Sequence, residues 1–157
     1  MIGRKLFVYG CIAAGILAVP SIVTAQRPSY RTPGATAKVK MDQLCAADFA
    51  SSLKPVSNWQ RAEALERYGI RPDGFSGELD HLVPVSLGGS NDPDNLWPFH
   101  AGGTFTLEAK QALALKLHDM VCAGNISLKE AQDAFRKDWT KAYQQHIVKA
   151  LNAPEQE

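Results

Sequence analysis

Seven consecutive turn formers, Gly88-Gly89-Ser90-Asn91-Asp92-Pro93-Asp94, separate two short apolar runs at residues 79–87 and 95–98. Glycine accepts positive φ, proline fixes φ, and Asn, Asp and Ser side chains bond their own backbone, so such a cluster reverses the chain. The flanking runs are short and bounded by turn signals. The pattern therefore predicts an irregular β-hairpin with a long loop. Pro84 and Pro98 lack an N–H donor and keep the strands short or at an edge.

Helical spacing surrounds this hairpin. Upstream, Asn58 is placed to cap a helix over residues 59–68, with Trp59, Ala62, Leu65 and Tyr68 near one face and Gly69 at its end. Residues 71–77 hold Pro72, Gly74 and Gly77 and read as a loop. Downstream, a helix over residues 106–121 aligns Leu113, Leu117, Met120 and Val121 ahead of Gly124. Ser127 and Glu130 form a capping box that opens the last helix. Its stripe of Leu128, Ala131, Phe135, Trp139, Ala142, Tyr143, His146, Ile147 and Ala150 is core, which makes His146 a packed histidine. His118 falls on an exposed helical face, and Trp59 and Trp139 fall on core stripes. The order helix, hairpin, helix, helix predicts an α+β domain, a small irregular β-hairpin packed among several α-helices, and not a doubly wound sheet.

The length of 157 residues suits one domain. The net charge of +1 excludes the basic excess that drives strong non-specific nucleic-acid binding, so any such role must come from a local site. Residues 1–25 read as a secretory signal peptide. Arg4 and Lys5 precede an apolar stretch over residues 6–19, Pro20 breaks it, and Val23-Thr24-Ala25 supplies small residues for cleavage after Ala25. The rival reading is an uncleaved membrane anchor, near the lower limit of about 17–25 apolar residues for a span. Cleavage implies a secreted or periplasmic chain with no stable membrane insertion. Residues 26–40 are polar with two prolines and one glycine, a flexible N-terminal arm ahead of a domain at 41–157.

Beyond the signal segment only Cys45 and Cys122 remain. An even pair in an oxidising compartment is most simply one disulfide, and the alternative is two buried free thiols. The lack of a Cys-x-x-Cys pair argues against a zinc site.

The residues that carry chemistry are Asp80 and His81 at the start of the hairpin and Asn95 fourteen residues after His81, on its return side. A hairpin brings its ends together, so these groups can converge. A carboxylate with neutral oxygen ligands suits a hard cation such as Mg²⁺, and a neighbouring histidine can take a proton from water near neutral pH. These parts describe phosphodiester hydrolysis. Adjacent strand residues point to opposite faces, so Asp80 and His81 serve one site only at a strand end, a bulge or a bend.

Asp80-His81-x-x-Pro84, then Gly88-Gly89, then Asn95-Leu96 resembles the ββα-metal core of HNH endonucleases. More narrowly, the chain resembles small exported bacterial HNH-signature proteins. Glu78, Trp97-Pro98, Val121-Cys122-Ala123-Gly124, Leu128, Ala131-Gln132, Asp138-Trp139 and Tyr143 match that group, as do Cys45 and Tyr68-Gly69 upstream. The resemblance implies that His81 is the general base. It implies that Asp80 binds or orients a divalent metal (Mg²⁺, with Mn²⁺ or Zn²⁺ as alternatives), that Asn95 binds the metal or holds the loop, and that Glu78 supports them. It implies nucleic acid, DNA first, as the substrate.

The helix after the hairpin departs from the family pattern Lys-Asp-x-x-Glu. Lys110 is kept as a supporting residue, while Gln111 and Ala114 replace the two acids. The third metal ligand is therefore altered, and His100 and Glu108 are the nearby candidates. Two readings stand at this point: an exported metal-dependent HNH-type endonuclease, or the same scaffold with a degraded metal site acting as a non-enzymatic envelope or binding protein.

Overall fold

The structure is a computed structural model that describes residues 30–99 and 105–152. The expected signal peptide at 1–25 and His100 lie outside the described residues. Among the described residues no helix is long and apolar enough to cross a membrane.

The chain is α+β. Two short helices, α1 (Met41–Leu44) and α2 (Phe49–Ser52), lead into α3 (Asn58–Arg67). Ser57, not Asn58, caps α3: its hydroxyl accepts from the Gln60 N–H while the Gln60 side chain accepts from the Ser57 N–H. Both residues are good caps, and the glutamine three positions after Ser57 decides between them. Trp59, expected on the packing face, is 65% exposed, whereas Ala64 and Leu65 are fully buried.

The hairpin consists of β1 (Glu78–His81) and β2 (Leu96–Phe99), antiparallel, with Asp80 opposite Trp97 and His81 opposite Leu96. The first apolar run is only partly strand. After His81 the chain turns inward, burying Leu82 and Val83 completely, and coils through single helical turns at Val85–Leu87 and Pro93–Asn95. Gly89 is required in this loop. A Cβ there would stand 1.8 Å from the Val83 carbonyl oxygen, closer than any side chain allows.

Two long helices complete the core. Thr106 caps α4 (Leu107–Cys122), and the Ser127–Glu130 capping box opens α5 (Leu128–Tyr143). Leu113, Leu117 and Val121 of α4 meet Ala131, Phe135 and Trp139 of α5 beneath Leu82, Val83, Leu87 and Trp97 of the hairpin. Trp97 thus packs under its strand. His146 is half-buried in the π-helical turn Gln144–Val148 that follows α5.

Residues 30–39 are not a free tether. The Gly34 N–H donates to the Asp94 carbonyl, the Ala37 N–H to the Gly88 carbonyl, and the Ser90 N–H to the Ala35 carbonyl. Arg136 of α5 donates to the Gly34 carbonyl from the other side, and Thr32 is 1% exposed. A polar, proline-containing stretch carries unpaired backbone groups, and the coiled hairpin loop offers partners for them. This strap holds the loop from outside while the core holds it from inside.

Candidate active-site cleft

The end of β1 and the first turns of α4 enclose a cleft of about 480 Å³. Glu78, Asp80, His81, Glu108, Lys110 and Gln111 supply its polar lining, and Pro84, Val85, Leu107, Ala114 and Leu115 its apolar wall. Asp80 and His81 therefore do serve one cleft. His81 is the last residue of β1, where the strand ends and the alternation of faces no longer holds.

Asp80 is held on two sides. Trp97, its cross-strand partner, donates its indole N–H to Asp80 Oδ2 at 3.0 Å. Lys110 reaches up from α4 and places Nζ 2.8 Å from the same oxygen. The Lys110 ammonium also donates to the His81 carbonyl oxygen at 2.6 Å and sits 5.2 Å from the centre of the Phe135 ring. Lys110 is 3% exposed. Burial pushes its pKa below the usual lysine value, and the Asp80 charge opposes that shift.

His81 Nε2 lies 2.8 Å from Asn91 Oδ1. The Asn91 amide is oriented by its own Nδ2, which donates to the Lys54 carbonyl at 2.7 Å. Asn91 thus presents an acceptor, so His81 Nε2 carries a proton and Nδ1 is the nitrogen left to exchange one. In the sequence Asn91 reads only as a turn former. No local signal marks it as a partner of a histidine ten residues earlier.

Asn95 is fully buried and does not line the cleft. Its Oδ1 accepts from the Val83 N–H, and its Nδ2 donates to the Val83 and Ser90 carbonyls. Of its two expected roles, holding the loop is the one the geometry displays. Neither amide atom faces the cleft as a metal ligand or a catalytic group.

Glu78 and Glu108 are exposed at the rim. The Thr106 hydroxyl and the backbone N–H of Glu108 itself hold the Glu108 carboxyl below the usual glutamate range, so it stays charged near neutral pH. Among the described residues, no three of these cleft groups bring ligand atoms within 4.8 Å of one another; the one set that does is Cys45, His118 and Cys122. Of the expected ligands, Asn95 spends both amide atoms inside the loop and does not join Asp80 at the cleft, and His100 lies outside the described residues. The donor chemistry does fit a hard cation in another way. Three carboxylates line the cleft against one ammonium, and Mg²⁺ commonly binds through one or two carboxylates plus waters and a substrate phosphate.

Cys45 and Cys122 are joined in a disulfide that ties the end of α1 to the end of α4. His118 does not occupy an exposed face. It is partly buried beside this disulfide, with Nε2 3.1 Å from the Leu44 carbonyl oxygen and 3.6 Å from Cys122 Sγ.

The chain matches no protein-family model, no curated protein and no solved structure.

Proposed function

We propose that the cleft hydrolyses phosphodiester bonds in nucleic acid, as an HNH-type endonuclease of the exported kind, with His81 as the general base. The observation that carries this reading is the His81–Asn91 hydrogen bond, which leaves Nδ1 to exchange a proton in a cleft lined by charged groups. Nδ1 takes a proton from water as the water oxygen bonds to phosphorus. The phosphorus–oxygen bond to the leaving group breaks, and its electron pair stays on the departing oxygen. Asp80, braced by Trp97 and Lys110, keeps one oxygen toward its partners while its carboxylate lines the cleft.

Asp80, with Glu108 or Glu78, would hold a divalent cation, Mg²⁺ first and Mn²⁺ or Zn²⁺ as alternatives. When bound, such a cation supplies charge neutralisation at the phosphoryl oxygens. Electrostatics favours this arrangement, because a cleft with three carboxylates and one lysine repels a polyanion until a cation bridges them.

A second reading rests on Gln111 and Ala114, which line the cleft where the resembled family carries two acids: the same scaffold, with a degraded metal site, acts as a binding protein.

Plasmid nicking by the purified chain separates the two. The assay uses Mg²⁺, Mn²⁺ or Zn²⁺, an EDTA control and the His81→Ala variant. The nuclease reading expects metal-dependent nicking that falls at least about 100-fold in His81→Ala. Absence of nicking of DNA and RNA by the folded chain with every metal would leave the scaffold reading.

A further inference from the structure

We infer that Cys45, His118 and Cys122 form a zinc site when their disulfide is reduced. The ligand atoms of the three already lie within 4.8 Å of one another. None of them lines the cleft, so this site is independent of the phosphodiester reading.

His118 and Cys122 stand four residues apart on α4, one turn, and therefore on one face. Their Nε2 and Sγ atoms are 3.6 Å apart. Tetrahedral zinc, with bonds of about 2.0 Å to nitrogen and 2.3 Å to sulfur, sets such a pair about 3.5 Å apart. Two ligands thus already stand at the spacing of a tetrahedral edge. The third arrives from α1. Cys45 ends that helix, its N–H bonded to the Met41 carbonyl, and its neighbour Leu44 is fully buried in the core. Cleaving the disulfide therefore leaves Cys45 anchored beside α4.

His118 Nδ1 lies 3.8 Å from a carboxylate oxygen of the exposed Asp119, beyond hydrogen-bond distance. In the disulfide form Nε2 faces the Leu44 carbonyl. Zinc binding exchanges that hydrogen bond for a metal bond and moves the ring proton to Nδ1, beside Asp119.

The chemistry balances as a two-electron reduction. A dithiol reductant cleaves the Cys45–Cys122 bond and leaves as its own disulfide, giving two thiols. Zinc then displaces both thiol protons into solvent and binds two thiolates and one neutral imidazole, with water in the fourth place. Disulfide and zinc site are mutually exclusive states of the same three residues.

The test is Co²⁺ titration of the chain reduced with dithiothreitol and freed of reductant under anaerobic conditions. One equivalent should produce a thiolate-to-cobalt charge-transfer band that Zn²⁺ abolishes, and the oxidised chain should produce none. His118→Ala, which removes a ligand, should weaken binding by more than about 100-fold, the upper end for loss of a partner that only orients a ligand. Zn²⁺ should raise the thermal midpoint of the reduced chain and leave that of the oxidised chain unmoved. If reduction unfolds the chain, Zn²⁺ should refold it. A reduced chain that gives no cobalt band would overturn the site. So would undiminished affinity in His118→Ala, or an unfolded reduced chain that zinc fails to restore.

Discussion

Lys110 Nζ lies 2.8 Å from Asp80 Oδ2 and 2.6 Å from the His81 carbonyl oxygen, so one side chain from α4 ties down both members of the Asp-His pair. The strand end that carries the chemistry is thereby fixed to the helix beneath it. The cost is a lysine taken almost entirely out of water, which its contacts with Asp80 and the His81 carbonyl offset.

Lys110→Met should therefore destabilise the fold by about 3 kcal/mol, the lower end for breaking a buried pair, because Asp80 keeps 18% of its side-chain exposure. Asp80→Asn should also destabilise, by leaving the buried ammonium unneutralised. Urea unfolding of both variants and of their combination provides the check. The double variant should cost clearly less than the two single losses added together. Simple additivity would mean that the two side chains do not depend on each other.

Asn95 locks the hairpin loop through three hydrogen bonds at a fully buried position. Asn95→Ala leaves the Val83 N–H and two carbonyls without partners and should cost about 3 kcal/mol. Asn95→Asp keeps the shape but sets a carboxylate against the Val83 and Ser90 carbonyls, and should be at least as damaging. Urea midpoints of the two variants test the assignment. Full stability in Asn95→Ala, joined to loss of Mn²⁺ binding, would restore Asn95 to the metal-ligand role.

The capping box of α5 makes part of the stability acid-sensitive. The Ser127 backbone N–H, and then its hydroxyl, hold the Glu130 carboxyl below its ordinary value of 4.5. Between the folded and unfolded values the unfolded chain binds more protons, so stability falls as pH drops through that window. The contribution is fully present above the unfolded value and is lost below the folded one. Glu130→Gln keeps a carbonyl oxygen for the same bonds but does not titrate. Thermal melts between about pH 3 and about pH 7 should show a shallower acid decline for Glu130→Gln than for the parent chain. Parallel declines would mean that the box makes no pH-dependent contribution.

The α+β architecture was legible because its signals are local. Leu113, Leu117 and Val121 repeat at helical spacing, Ser127 and Glu130 cap reciprocally within one turn, and the Gly88–Asp94 cluster forces a reversal. Even the misplaced start of α3 had a readable cue in Ser57 and Gln60. The docking of residues 32–37 on the hairpin loop had none, because a strap of polar residues is recognisable only from the loop it covers. The candidate site divides in the same way. Asp80 and His81 stand out as a pair with hairpin context. The hydrogen bond that His81 donates to Asn91, the burial of Asn95 and the place of His118 beside the disulfide depend on contacts that no local pattern spells out.

By itself, then, the sequence determined the elements and the residue types that meet at the hairpin, since propensity, capping and periodicity act within a few residues. Tertiary structure alone decided which atoms are free to act. Oδ2 of Asp80 is occupied by an ammonium 30 residues away, both amide atoms of Asn95 are used inside the loop, and two cysteines 77 residues apart close against a histidine on α4. Those outcomes follow from packing and from the need to pair every buried polar group, and both are settled only when distant segments meet.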